Sequence, residues 1–288
     1  NSEVFNWPLE FLYCPSKGCW LATDKPLIAL SRRHIFDGVF KPPVPPPLRV
    51  LFIISKPTKP DELKEKGVIT TKVLEEIGKL AGEEPGQMEV QVLGKIEEYE
   101  RQIQGIDYFD RPATYSDIRK LIDDWNPHVL HFIGHGKLKQ GRGYLGLAKD
   151  EEGEVDWCSA DDISQLFTAW QPRLVLLQAC ESALSDPAPG FMSLADHLIR
   201  RNIPAVIAMQ FAVTNECATL FAMGFYEALQ EGKEVDEAVQ NGRFKISDRL
   251  RWTERHFGAP VLFTYNPGAI IQLPSSDKPL KVSENPGR

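Results

Sequence analysis

PRLVLLQACES, residues 172–182, is the stretch whose reading decides the fold. Leu174, Val175, Leu176 and Leu177 form an apolar run with no polar alternation, the pattern of a strand buried on both faces in a helix-covered parallel sheet. Cys180 comes at its carboxyl end, the edge at which open α/β sheets bind ligands, so this thiol is a candidate nucleophile. Working outward, the apolar stretch His128 to Ile133 runs into Gly134-His135-Gly136, which is expected to turn there and to present an imidazole between two flexible residues at the same edge. His135 precedes Cys180 by 45 positions.

The other strands and helices extend from this pair. Arg49 to Ser55, Met88 to Leu93, Ala205 to Met209 and Pro260 to Tyr265 read as strands, and Gly105 to Arg111 as a polar connection. Helical spacing predicts helices within Asp61 to Leu80, after the capping pattern Thr114/Asp117, from Ser159 to about Trp170, along Phe191, Leu194, Ala195 and Leu198, and over Glu216 to Gln230 and Val235 to Ser247. GEEPG (82–86) is a turn, SDPAPG (185–190) an irregular loop, and the glycines of 137–158 mark a hairpin inserted after His135. About six principal strands separated mostly by helices give an α/β fold with a twisted, mainly parallel sheet covered on both faces.

Three segments are expected. Residues 1–43 form an N-terminal segment with anchors such as Phe5, Trp7, Phe11, Trp20, Leu27 and Ile28, and run into the Pro-rich stretch Lys41 to Pro47, a stiff linker that crosses the boundary. Residues 44–273 form the main domain, and the polar tail 274–288 is expected to be disordered. A net charge of −7 argues against a general nucleic-acid or anionic-membrane binder. No apolar run reaches the roughly 18 residues of a membrane span and no signal peptide opens the chain, so a cytoplasmic protein is expected. Five scattered cysteines fit a reducing compartment, and Cys14 and Cys19 lack a second ligand pair for zinc. With no P-loop, no GxGxxG and no GxSxG, neither a metal nor a cofactor is expected.

Gln178-Ala179-Cys180, with a histidine about 50 residues upstream, resembles the signature of the caspase-like cysteine peptidases, although Glu181-Ser182 departs from the residues that usually follow. HVLHFIGHG, LLQACES, FMSLADHLIRRNIPAVIAMQ and APVLFTY, spread over residues 5 to 270, are similar to the CHAT branch of that clan, as is the N-terminal segment bearing Trp7 and Glu10. The resemblance implies a caspase-like three-layer α/β/α sandwich with a six-stranded sheet and an antiparallel last strand. It also implies a cysteine endopeptidase of bacterial signalling or defence, regulated by an associated sensor subunit or domain and acting on a protein substrate; direct contact with nucleic acid or membrane is not expected, from the charge and the apolar runs above.

The resemblance further assigns Cys180 as nucleophile, His135 as general acid/base and the N–H groups of Gly136 and Cys180 as the oxyanion hole. Gln178 and Asn215 stand at the family's substrate-binding positions, and Glu216 lies one residue beyond the second. Gln178 and Asn215 are neutral where relatives that prefer Arg or Lys carry acids, so no basic preference is expected unless Glu216 reaches the pocket. His131, among apolar neighbours, reads as a satisfied core histidine, and His128 as structural. A non-catalytic caspase-like interaction module is the alternative; it has no physical need to retain the His and Cys pair.

Overall fold

Apolar runs become strands in the computed structural model, which describes residues 8–23, 29–33, 41–55, 70–95, 97, 100–150, 154–179, 188–211, 213–250, 255–266 and 268–272. In chain order these contain β1 (Tyr13–Cys14), β2 (Cys19–Trp20), β3 (Arg32–Arg33), β4 (Leu48–Ile54), α1 (Thr71–Glu83), β5 (Met88–Gly94), β6 (Asp107–Phe109), α2 (Tyr115–Trp125) and β7 (Val129–Lys139). Then come β8 (Arg142–Ala148), β9 (Val155–Ser159), α3 (Ala160–Gln165), β10 (Leu174–Ala179), α4 (Ala188–Arg200), β11 (Ala205–Met209), α5 (Asn215–Gln230), α6 (Val235–Arg249) and β12 (Pro260–Thr264). Phe5, Trp7, Leu27, Ile28, residues 61–69 of the expected first helix, Cys180 with most of the loop after it, and the tail 274–288 lie outside the described residues.

The central sheet runs β3-β12-β11-β10-β7-β4-β5-β6, with β8 and β9 added through β7. β6, β5, β4, β7, β10 and β11 are mutually parallel and β12 is antiparallel to β11, so the fold is α/β with a mainly parallel sheet. Side chains alternate between the two faces of a strand. The His131 row meets Tyr226 of α5 on one face, while Phe132 meets Phe191 of α4 on the other, with ring centroids 6.3 Å apart. α1 and α6 pack beside α5, and α3 packs beside α4, which completes three layers.

Local signals place several boundaries. Thr114 Oγ1 accepts the N–H of Asp117 to start α2, and Asn126 ends that helix at φ 56°. Ser159 and Asp162 form the reciprocal capping box of α3. Other expectations are corrected. The sheet is larger than six strands, because Asp107–Phe109 pairs with β5 and Arg32–Arg33 pairs with β12. Helix α1 continues through Glu83 into the expected turn, and α3 ends at Gln165. Ala188 to Gly190, expected in a loop, opens α4. The Pro-rich stretch is not a free linker, since Val44 donates to the Ile270 carbonyl and accepts from Gln272.

The largest correction concerns Gly134-His135-Gly136, which does not turn. β7 runs straight through it, parallel to β4 and β10 up to Gly134 and then antiparallel to β8 from His135 onward. Neither glycine has positive φ. Their missing side chains instead make room for packing: a Cβ on Gly134 would come 2.9 Å from the Phe132 ring, and one on Gly136 would come 2.6 Å from the Phe191 ring.

The N-terminal segment is built into the same core. Phe11 stacks on Phe211 and meets Trp20 and Phe257 edge-on. Glu10, 2% exposed, accepts from Arg32 at 3.2 Å and Gln210 at 3.1 Å and lies 3.7 Å from Arg243. Arg243 is itself fully buried and donates to the carbonyls of Pro260 and Leu30.

Candidate functional site

β10 and β7 are neighbours in the sheet, paired in parallel from Leu174 with Val129 up to Ala179 with Gly134. The last pair lies one residue before Cys180 on one strand and one before His135 on the other. Cys180 itself, proposed nucleophile and oxyanion donor, falls outside the described residues.

His135 sits where β7 leaves the parallel sheet and joins the hairpin, opposite Gly146 of β8. Ser55, fully buried at the end of β4, clamps this exit: its N–H donates to the Ile133 carbonyl at 2.9 Å and its Oγ donates to the Gly146 carbonyl at 2.6 Å. His135 is 6% exposed, and its Nδ1 is buried with no hydrogen-bond partner among the described residues. Burial lowers its pKa, because an imidazolium loses hydration there. The ring is therefore neutral at pH 7 and able to accept a proton. Gly136 lies in the ladder opposite Leu145, pressed under Phe191. On the outer side of the hairpin Lys137 Nζ sits 3.8 Å over the Trp157 ring.

The candidate substrate-binding residues separate in the structure. Gln178 is 2% exposed, with its Oε1 3.1 Å from His131 Nε2, so its carboxamide is engaged in the core rather than presented to a ligand. Asn215 opens α5, half-buried, behind the Thr214 cap, and Glu216 beside it is exposed. His131 is fully buried and reaches Tyr226 Oη at 3.0 Å through Nδ1. Because Gln178 Oε1 can only accept, Nε2 of the neutral ring carries the proton and Nδ1 accepts from Tyr226.

Of the other cysteines, Cys158 is buried and its thiol is pushed up to about 12 by burial and by Asp156. Cys217 is buried in α5. Cys14 and Cys19 stand opposite each other across the short β1–β2 ribbon. Among the described residues no group of three or more His, Cys, Asp or Glu could hold a metal ion, and no helix is long and apolar enough to cross a membrane.

Ser55 was not singled out in the sequence, although a serine directly after an all-apolar run, at the carboxyl end of the strand, was the available signal. Phe191 was read only as a helix face. Its packing on Gly136 is a long-range contact with no local signature.

Two solved structures that the chain resembles are the separase–securin complex of Saccharomyces cerevisiae and the Arg-specific cysteine proteinase gingipain R. Identity is 14% in both, with TM-scores of 0.41 and 0.42. The alignments cover 81% and 77% of this chain but only 13% and 47% of those chains, so this chain spans less than half the length of either. No curated protein matches the sequence. The CHAT domain model, by contrast, matches residues 1–265, a span that takes in the Glu10 anchor, the β7 and β10 pair and the closing antiparallel strand, and the chain belongs to the CHAT domain family.

Proposed function

We propose that the chain is a cysteine endopeptidase in which Cys180 is the nucleophile and His135 the general acid/base. The observation that carries this reading is a buried, neutral imidazole whose Nδ1 has no partner among the described residues, placed where β7 leaves its parallel pairing with β10, the strand that leads into Cys180. His135 takes the thiol proton, and the thiolate attacks the scissile carbonyl carbon. The tetrahedral oxyanion accepts from the N–H groups of Gly136 and Cys180. The imidazolium then gives its proton to the departing amine as the C–N bond breaks, leaving a thioester on Cys180. Water, deprotonated by His135, attacks that thioester, and the C–S bond breaks to release the acid and the thiolate, which regains the proton.

In this reading residues 44–273 form the peptidase unit, with residues 1–43 packed onto it. The substrate is a protein, and a sensor subunit or domain in a bacterial signalling or defence assembly controls turnover. Support for control comes from the start of α4, where a Cβ on Gly190 would lie 2.6 Å from the Lys137 backbone. The start of α4 and the hairpin after His135 are thus docked on one another, and a partner that shifts either one moves both. The residue before the cut is not selected as Arg or Lys, since Gln178 and Asn215 are neutral.

The test is a random peptide library incubated with the chain and with Cys180→Ala, the new termini being read by mass spectrometry. Cuts made by the wild type alone, without a dominant basic residue before them, are expected. Identical cuts from both proteins would contradict the mechanism. A dominant Arg or Lys that is lost in Glu216→Gln would place the specificity carboxylate one residue beyond Asn215.

A further inference from the structure

The ends of β4, β7 and β10 opposite to His135 carry two arginines with a histidine between them. By register, Arg49, His128 and Arg173 stand side by side, each one residue before the pairs Val50/Val129 and Val129/Leu174. The backbone N–H of Arg49 donates to His128 Nδ1 at 3.2 Å, and the backbone N–H of Arg173 donates to the His128 carbonyl at 2.8 Å, so the three backbones and the His128 ring are fixed. Since Nδ1 accepts, the proton of the neutral ring is on Nε2. That N–H faces Arg49 Nη2 at 3.3 Å: two donors meet with no acceptor between them. His128 is 5% exposed, and Arg49 Nε is also buried without a partner among the described residues.

Next to this row lies a cavity of about 460 Å³ lined by Lys41, Phe167, Trp170, Gln171 and Arg173. Lys41 Nζ is held over it by Gln171 Oε1 at 2.7 Å. No carboxylate forms an ion pair with Lys41, Arg49 or Arg173 among the described residues. Glu89, opposite Arg49 on β5, is exposed and unpaired with it, and the nearby Asp161 is taken by Arg201 and His197. Positive charge is disfavoured at both His128 and Lys41. His128 is lowered to about 4 by burial, then by Arg49 and Arg173, and Lys41 is lowered by burial, then by Arg173.

We propose that this edge is a binding site for a small phosphate-bearing anion, whose oxygens accept from Arg49, Arg173, Lys41 and His128 Nε2–H while the rest of the molecule occupies the cavity. Adjacent strands are about 4.8 Å apart, so the row spans about 10 Å, the reach of a di- or triphosphate. An oxygen between His128 Nε2 and Arg49 Nη2 turns a donor against a donor into two charge-assisted bonds. The cavity volume is in the range of small-ligand sites.

The site is independent of the peptidase reading, and its test needs no protease substrate. Sodium tripolyphosphate titrated into the full chain at low salt and pH 7.5, followed by calorimetry, should bind with one-to-one stoichiometry. Arg173→Gln and Arg49→Gln should each weaken it about tenfold or more, and Lys41→Gln several-fold. Arg119→Gln, which changes a distant exposed cation on α2, should leave affinity unchanged. Lys41 is exposed, so its variant keeps the test alive if Arg49→Gln does not fold. Absence of binding at millimolar tripolyphosphate, or equal weakening by Arg119→Gln, would overturn the proposal.

Discussion

His131 and His135 lie on one strand, four residues apart and alternating onto the same face, yet their surroundings oppose each other. His131 is sealed: Tyr226 and Gln178 take its two nitrogens and the Phe52 ring lies 4.5 Å away. Burial lowers it to about 3. His135 is almost as buried but keeps one nitrogen unpartnered among the described residues, where the strand crosses from the sheet into the hairpin. A buried polar atom left unmade costs about 1–3 kcal/mol. The difference teaches that burial alone does not mark a histidine as structural. What marks it is whether its partners are complete.

The largest effect that would break this comparison is catalytic. His135→Ala and Cys180→Ala should each lower peptide cleavage by about 10³-fold or more, with the folded state retained. His131→Ala should do the reverse. It removes a packed ring and leaves Tyr226 and Gln178 unpaired, a loss of about 2–4 kcal/mol by urea denaturation, with cleavage per folded molecule preserved. Activity loss without destabilisation in His131→Ala would erase the distinction.

Smaller effects sharpen it. Gly136→Ala drives a methyl into the Phe191 ring, and overpacking of this kind costs about 1–3 kcal/mol while shifting the backbone beside His135. Thermal melts combined with cleavage rates should show both losses, whereas Gly141→Ala, where the added methyl meets nothing but the φ is +74°, should spare the rate.

The pH dependence is smaller still. His131, His128 and His135 all have folded pKa values below 6.5, so as pH falls below 6.5 the unfolded chain takes up protons first. Stability is therefore full above pH 6.5 and lost toward pH 4, each histidine adding a slope of about 1.4 kcal/mol per pH unit. His131→Phe should remove one such share between pH 6.5 and 5, and an unchanged slope there would show that His131 is protonated in the fold.

The strands were legible because their signal is local. LVLL, VLFII and AVIAM are uninterrupted apolar runs, and each became a parallel strand. Thr114/Asp117 and Ser159/Asp162 located helix starts for the same reason: a cap and its acceptor are three residues apart. Gly134-His135-Gly136 misled, because glycine reads as a turn when only the chain is seen. Here it serves the Phe132 and Phe191 rings, and Phe191 lies more than fifty positions away.

Asp107–Phe109 and Arg32–Arg33 were missed as strands since edge strands this short have almost no periodicity to read. In the candidate site, the place of His135 at the carboxyl edge of the parallel sheet was readable, but the seating of Gln178 against His131 was not. It depends on the register between β10 and β7 and on Tyr226 from a helix almost a hundred residues on. The basic row was equally hidden, because Arg49, His128 and Arg173 meet only through the same register.

The central claim is that His135 activates Cys180, and the rate of iodoacetamide labelling at each cysteine tests it without a known substrate. Cys14 provides an internal reference, since Ser16 and Lys17 lower its pKa and it lies outside the site. Peptide mapping after short exposures near pH 7 should show Cys180 and Cys14 labelled well before the buried Cys158 and Cys217. In His135→Ala, labelling at Cys180 should slow by about tenfold or more while Cys14 keeps its rate. A Cys180 rate that is the same with and without the imidazole would contradict the account.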